Sequence, residues 1–236
     1  MMFAKITAIF VILAVAAIPV AMGQAAEAEA SSGESEPITV EMMVIREASN
    51  STSREQNLFA LDYIGDAVGR GDTSDDIYAA LERLVLSGSK NRVLSRGQVI
   101  NNFPDVRQEA ARQLGAVGTE EARAILLRAG LSEREPLVMF EIINALSEIE
   151  AEDNAQTVSI LVWVANRFHR SHAPSNHVAL ATVNALERFA ERDGGITDHH
   201  AFHYLFRVAE GPYVTSVRER AWEVIDGLRG DTGNDE

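Results

Sequence analysis

The sequence predicts an all-α protein, a solenoid of about four to five helix pairs preceded by an export signal and a flexible segment. Three observations predict it. One helical apolar pattern recurs along the chain, a second helical pattern fills the intervals between its copies, and an isolated apolar run stands at the N-terminus.

That run comes first in the chain. Lys5 is followed by apolar residues from Ile6 to Met22, closing on the small residues Ala21 and Gly23. A cation, an apolar stretch and a small-residue end make a cleavable secretion signal over 1–23, cut after Gly23 or Ala25. A membrane anchor needs about 20 apolar residues, and here the run gives way to a small, acidic stretch. No cysteine follows, so a thioether lipid anchor is excluded and the mature chain is expected to be soluble, periplasmic or secreted, with no integral membrane segment. From Gln24 to about Pro37 the chain is Ala, Glu, Ser and Gly with no large apolar side chain, which cannot offset the entropy of ordering. Ile38 to Ile45 reads as a short capping helix or a strand, with Glu41, Met42, Met43 and Arg46 favouring helix. The flexible segment is therefore set at 24–52, the solenoid at 53–230 and a disordered tail at 231–236.

Within the solenoid the clearest copy is Pro104-Asp105-Val106-Arg107, continuing through Ala110-Ala111 and Leu114-Gly115 to Val117-Gly118. Apolar positions 106, 110, 114 and 117 keep helical spacing, Pro104 suits a first turn, and Gly118 stands where helices stop. Steps of 32, 40 and 39 residues carry Val106 onto Val138, Val178 and Val217, and Asn144-Ala145-Leu146 returns as Asn184-Ala185-Leu186. A weaker first copy aligns Ala60, Leu61, Ile64 and Gly65. Between copies, 75–86, 120–131, 155–168 and 199–208 form the second helical pattern. A lone helix pair cannot bury its apolar stripe, so successive pairs stack.

The word at 104–118 resembles the first helix of HEAT repeats, including the phycobilisome-lyase-like subset, and the resemblance extends over about 54–230. Copies at 138 and 178 depart from it by lacking arginine after valine. The Asn101-Asn102-Phe103 lead-in is also similar to that of secreted bacterial HEAT-repeat proteins. What the resemblance implies is a curved scaffold that binds proteins or peptides, its second helices lining the concave face; a chromophore-lyase role rests on the subset's name alone.

Charge narrows the partner. The chain carries a formal −14, one unit more negative after signal removal, and such a field repels phosphate backbones. Nucleic acid is excluded, while cationic protein segments and divalent metals fit. Beyond the signal, Lys90 stands alone among nineteen arginines, a bias that reads as codon usage.

Candidate residues fall in three groups. Laid over one another, the second helices bring Arg83, Arg128, Trp163 and His203 to one register, a stripe of residue types that dominate binding hot spots. The arginines are expected at the surface, whereas Trp163, inside the apolar run 158–164, is expected to pack in the core. Lys90, Arg92 and Arg96 form a basic island in the acid-free connection at 87–103, suited to an acidic or phosphate-bearing ligand. All six histidines lie between His169 and His203, and the four-residue spacing of His199 and His203 beside Asp198 allows a metal-binding protein or enzyme as the alternative function. In the plainer reading, His203 packs beside Tyr204 and Phe206. Ser87-Gly88-Ser89-Lys90 matches the S-x-x-K word of serine enzymes, but the K-T-G partner is missing and no sheet is expected to mount it. The sequence therefore predicts a non-catalytic scaffold, with no catalytic residue and no cofactor.

Overall fold

The computed structural model describes residues 39–231. The expected export signal, the first part of the acidic segment and residues 232–236 of the expected tail lie outside them. Among the described residues ten helices form: α1 (Val40–Ser49), α2 (Arg54–Gly69), α3 (Asp75–Leu86), α4 (Pro104–Val117), α5 (Glu120–Ser132), α6 (Pro136–Glu148), α7 (Ala155–His169), α8 (Asn176–Asp193), α9 (His199–Ala209) and α10 (Thr215–Asp231).

Local chemistry sets their limits. Pro104 and Pro136 each occupy the first turn, where the missing N–H costs nothing. Thr119, Ser175 and Asp198 cap their helices by accepting the N–H of Ala122, Val178 and His200. Gly118 closes α4 in the left-handed region, at φ 69°.

Contacts between helices sort them into two layers. The helices α2, α4, α6, α8 and α10 follow one another in the first, and α1, α3, α5, α7 and α9 in the second. All copies of the repeated word fall in the first layer, and all the intervening patterns fall in the second. The architecture is an all-α solenoid with one continuous core running from Ile45 to Ile225. Small residues let the first layer close up: a Cβ added to Gly115 would lie 2.9 Å from the Cβ of Ala145, so α4 and α6 meet nearly backbone to backbone. Val40–Ser49 is helical and packs on both α2 and α3, so the array begins ahead of the expected boundary at 53.

The connection at 87–103 is a small hairpin, not the plain loop expected. Its strands β1 (Leu94–Ser95) and β2 (Gln98–Val99) pair antiparallel, Leu94 opposite Val99. Arg96 and Gly97 make the turn, both at positive φ (51° and 81°), as a two-residue hairpin loop requires.

Arginines tie the helix ends together. The last carbonyls of a helix have no partner inside it. Arg107 donates to Ser87 O, and Arg167 to Gly130, Leu131 and Glu133 O. Arg192 donates to Ser147 and Ile149 O, and Arg218 to Ala209 O. Counted from the start of each first-layer helix, Asn57, Arg107 and Arg218 stand at the same place, and Asn57 likewise donates to Ala48 and Ser51 O. A guanidinium can reach several carbonyls at once and an ammonium cannot match that fork, so the arginine bias has a structural use beyond codon choice.

Candidate functional site

The second layer carries the proposed stripe, and the helix caps settle its register. Arg83, Arg128 and Trp163 stand at equal distances along α3, α5 and α7 from the capping residues Ser74, Thr119 and Asn154. On α9, counted from Asp198, that place belongs to Arg207, and His203 sits one turn earlier. The expected alignment of His203 is thus corrected: α9 starts at His199 as expected, but counting from its cap gives the stripe position to Arg207.

Neighbouring second-layer helices are joined across this stripe. Arg83 is half-buried and donates to Ser49 Oγ at 3.0 Å, so its expected exposure is also corrected. Arg128 is exposed and pairs with Glu82 at 2.9 Å. Arg207 donates to Asn166 Oδ1 at 2.6 Å. Trp163, expected in the core, is 56% exposed. Val158, Leu161, Val162 and Ala165 point inward along the apolar run, leaving Trp163 on the outer side of the helical period. The guanidinium of Arg167, one turn on, lies 5.8 Å from its ring centroid while holding the end of α5. Burial, with Arg134 nearby, holds that guanidinium below the usual arginine range. Arg167 and Arg207 were missed by the sequence reading; helical i,i+4 spacing from Trp163 and counting from caps would have found them.

Lys90, Arg92 and Arg96 are all exposed on the hairpin, Arg92 donating to Ser89 O at 3.0 Å. Beside them Val93, Leu94 and Ile100 are exposed too, Leu94 at 64%. Ser87 caps the C-terminal end of α3 and exchanges hydrogen bonds with Asn101, which occupies the hydroxyl that a serine enzyme would need free.

The hairpin's base is fixed by an ion pair. Arg107 and Glu133 have side chains 1% and 2% exposed, with Arg107 Nε 2.7 Å from Glu133 Oε2. Arg107 also donates to Asn102 Oδ1 at 2.8 Å, and Glu133 Oε1 accepts the N–H groups of Arg134 and Glu135. Every polar group of the pair that faces the interior is therefore engaged.

Between the α6–α7 and α8–α9 connections opens a cleft of about 780 Å³. Glu150, Glu152, Asp153, Asp193 and Asp198 line it, with Arg192 as the one cation of its lining and Phe189, Val158 and Ile196 as apolar surface. At its margin the ligand atoms of Asp198, His199 and His200 lie within 4.8 Å of one another. The His199 and His200 ring centroids are 4.0 Å apart, and His203, exposed and not packed, stands edge-on to His199 at 6.3 Å. His169 lies elsewhere, bonded through Nδ1 to Tyr213 Oη at 2.9 Å, and His177 meets Phe140.

Comparison with known families bears on the repeats themselves. A model of HEAT repeats matches residues 97–173, from β2 and its turn through α7. Over that span the chain is similar to HEAT repeats. No curated protein and no solved structure matches it. The similarity thus covers β2, the buried ion pair and Trp163, while the acidic cleft's second wall and the histidine group lie C-terminal to the matched span.

Proposed function

We propose that this HEAT array is an exported, non-catalytic scaffold that binds a protein or peptide partner on the stripe formed by Arg128, Trp163 and Arg207. The observation that carries the reading is Trp163: a large aromatic ring left 56% exposed, held in place by the Arg167 guanidinium. Tryptophan and arginine are the residue types that contribute most to interface affinity, and a ring already fixed in position loses little entropy on binding. The HEAT family supports the scaffold class, and the apolar run Ile6–Met22 supports export. The acidic cleft, next to α7 and α9, favours a partner with a cationic segment. The exposed hairpin cations and Leu94 form a second contact element for an acidic portion of the same partner.

The test uses Trp163→Ala combined with Arg128→Glu in the full chain. Both side chains are exposed, so folding, read by circular dichroism and melting temperature, is expected to be unchanged. Crosslinking and pull-down from the native envelope are expected to recover a partner with the parent chain and to lose it with the variant. Retention of every partner by the folded variant would refute the stripe.

A further inference from the structure

We propose that Asp198, His199 and His200 form a binding site for a divalent transition metal of the zinc, nickel or copper class at the start of α9. Three potential ligand atoms from these residues already lie within 4.8 Å of one another. Coordination bonds of about 2.0–2.2 Å require them to come to about 3 Å apart, a closure that rotation of the exposed histidine side chains supplies. His203, one turn on, is the nearest candidate for a fourth ligand, its ring centroid 6.3 Å from that of His199.

The carboxylate is held in advance. Asp198 Oδ1 accepts the backbone N–H of His200 at 2.8 Å and Oδ2 accepts the hydroxyl of Ser159 at 2.9 Å, which fixes its orientation from two elements, α7 and α9. Each carboxylate oxygen has a second lone pair to give to a metal. Outer hydrogen bonds of this kind orient a metal's ligands.

Electrostatics decides whether a cation is tolerated there. A helix N-terminus presents roughly half a positive charge, which opposes a cation. Against it stand Asp198 itself and, along the cleft that Asp198 shares, Glu150, Glu152, Asp153 and Asp193, with only Arg192 of opposite sign in the lining. The acids outweigh the helix end and raise the local cation concentration. Two imidazoles and one carboxylate then select for borderline and softer metals over calcium or magnesium, which favour all-oxygen sites.

The experiment is a titration of the full chain with zinc by calorimetry and with cobalt by visible absorption. The expected result is one metal per chain, a cobalt ligand-field band, and a melting temperature that rises with added zinc. His199→Ala combined with His200→Ala is expected to abolish all three, while the distant pair His172→Ala with His177→Ala leaves them unchanged. Both double variants alter exposed side chains, and circular dichroism confirms their folding. The proposal is overturned by no binding at millimolar zinc, by binding that survives loss of His199 and His200, by loss on removing His172 and His177, or by a response to calcium or magnesium equal to that to zinc.

Discussion

The junction between α3 and α6 holds Arg107 and Glu133 almost wholly away from solvent, whereas the junction between α7 and α9 leaves His199, His200, His203 and Trp163 at the surface. In the first, a charged pair is tolerated because neighbouring backbone and side-chain groups complete its hydrogen bonds. Burying the two ions is expensive, and their attraction with good geometry roughly offsets that cost, so the pair mainly specifies one arrangement of hairpin, α4 and the α5–α6 connection. In the second, the three histidines and Trp163 are exposed and remain available to ligands. One junction uses its chemistry to hold the array, the other to present it.

Removing one half of the buried pair is the severest test of that contrast. Arg107→Ala leaves Glu133 charged and buried, with an expected loss of about 3–5 kcal/mol in urea unfolding. If it costs less than about 1 kcal/mol, the first junction is not held by the pair. Two glycines with matching backbones separate the junctions next: Gly88 has φ +71° and Gly194 has φ +70°. A Cβ at Gly88 would lie 2.5 Å from Asn101 O and from Asn102 Cα, while at Gly194 nothing stands within 4 Å. Gly88→Ala is expected to cost about 3 kcal/mol or more, from strain plus overlap, and Gly194→Ala about 1 kcal/mol from the left-handed backbone alone. Equal losses would show that space around the hairpin base is not what differs.

The smallest effect is a pH dependence lodged in the second region. Burial first, then Arg207 and Arg170, holds His169 below the ordinary histidine value of 6.5, and burial pushes Tyr213 up to about 12. As pH falls below 6.5 the unfolded chain takes up a proton on this histidine before the folded one does, so stability is lost on acidification. At the other limb the unfolded tyrosine ionises first, and stability is lost as pH rises from 10 towards 12. His169→Gln is expected to flatten the acid limb of the urea midpoint measured from pH 7.5 to 5, leaving the alkaline limb in place; an unchanged acid limb would remove His169 from the account.

Helices were legible because their apolar spacing, prolines and closing glycine are local signals: the limits of α3 to α7 and of α9 follow the sequence pattern within a residue or two, while α8 runs four residues past the last patterned position, Phe189. The hairpin was not, since strands of two residues are too short to show alternation. Glu133 was invisible as the partner of Arg107 because it lies in a connection 26 residues away and belongs to no periodic face. Trp163 was misplaced because an all-apolar run hides which side of the helix faces out, and His203 because an overlay of whole helices ignores where each one is capped. The convergence of Asp198, His199 and His200 depends on side-chain directions at a helix start, which residue order alone leaves open.

The arginines that reach from one helix to the carbonyl end of another also bear on how the array comes apart. In a one-dimensional chain of repeats, melting is governed by the ratio of the coupling between neighbours to the intrinsic stability of each unit. Arg167 joins α7 to the end of α5, Arg192 joins α8 to the end of α6, and Arg107 joins α4 to the end of α3. Each such bond is lost only when two units separate, so it contributes to the coupling and not to the unit. Weakly marked copies, such as those around Val138 and Val178, are thereby coupled to their neighbours, and the degenerate repeats are expected to melt as one block.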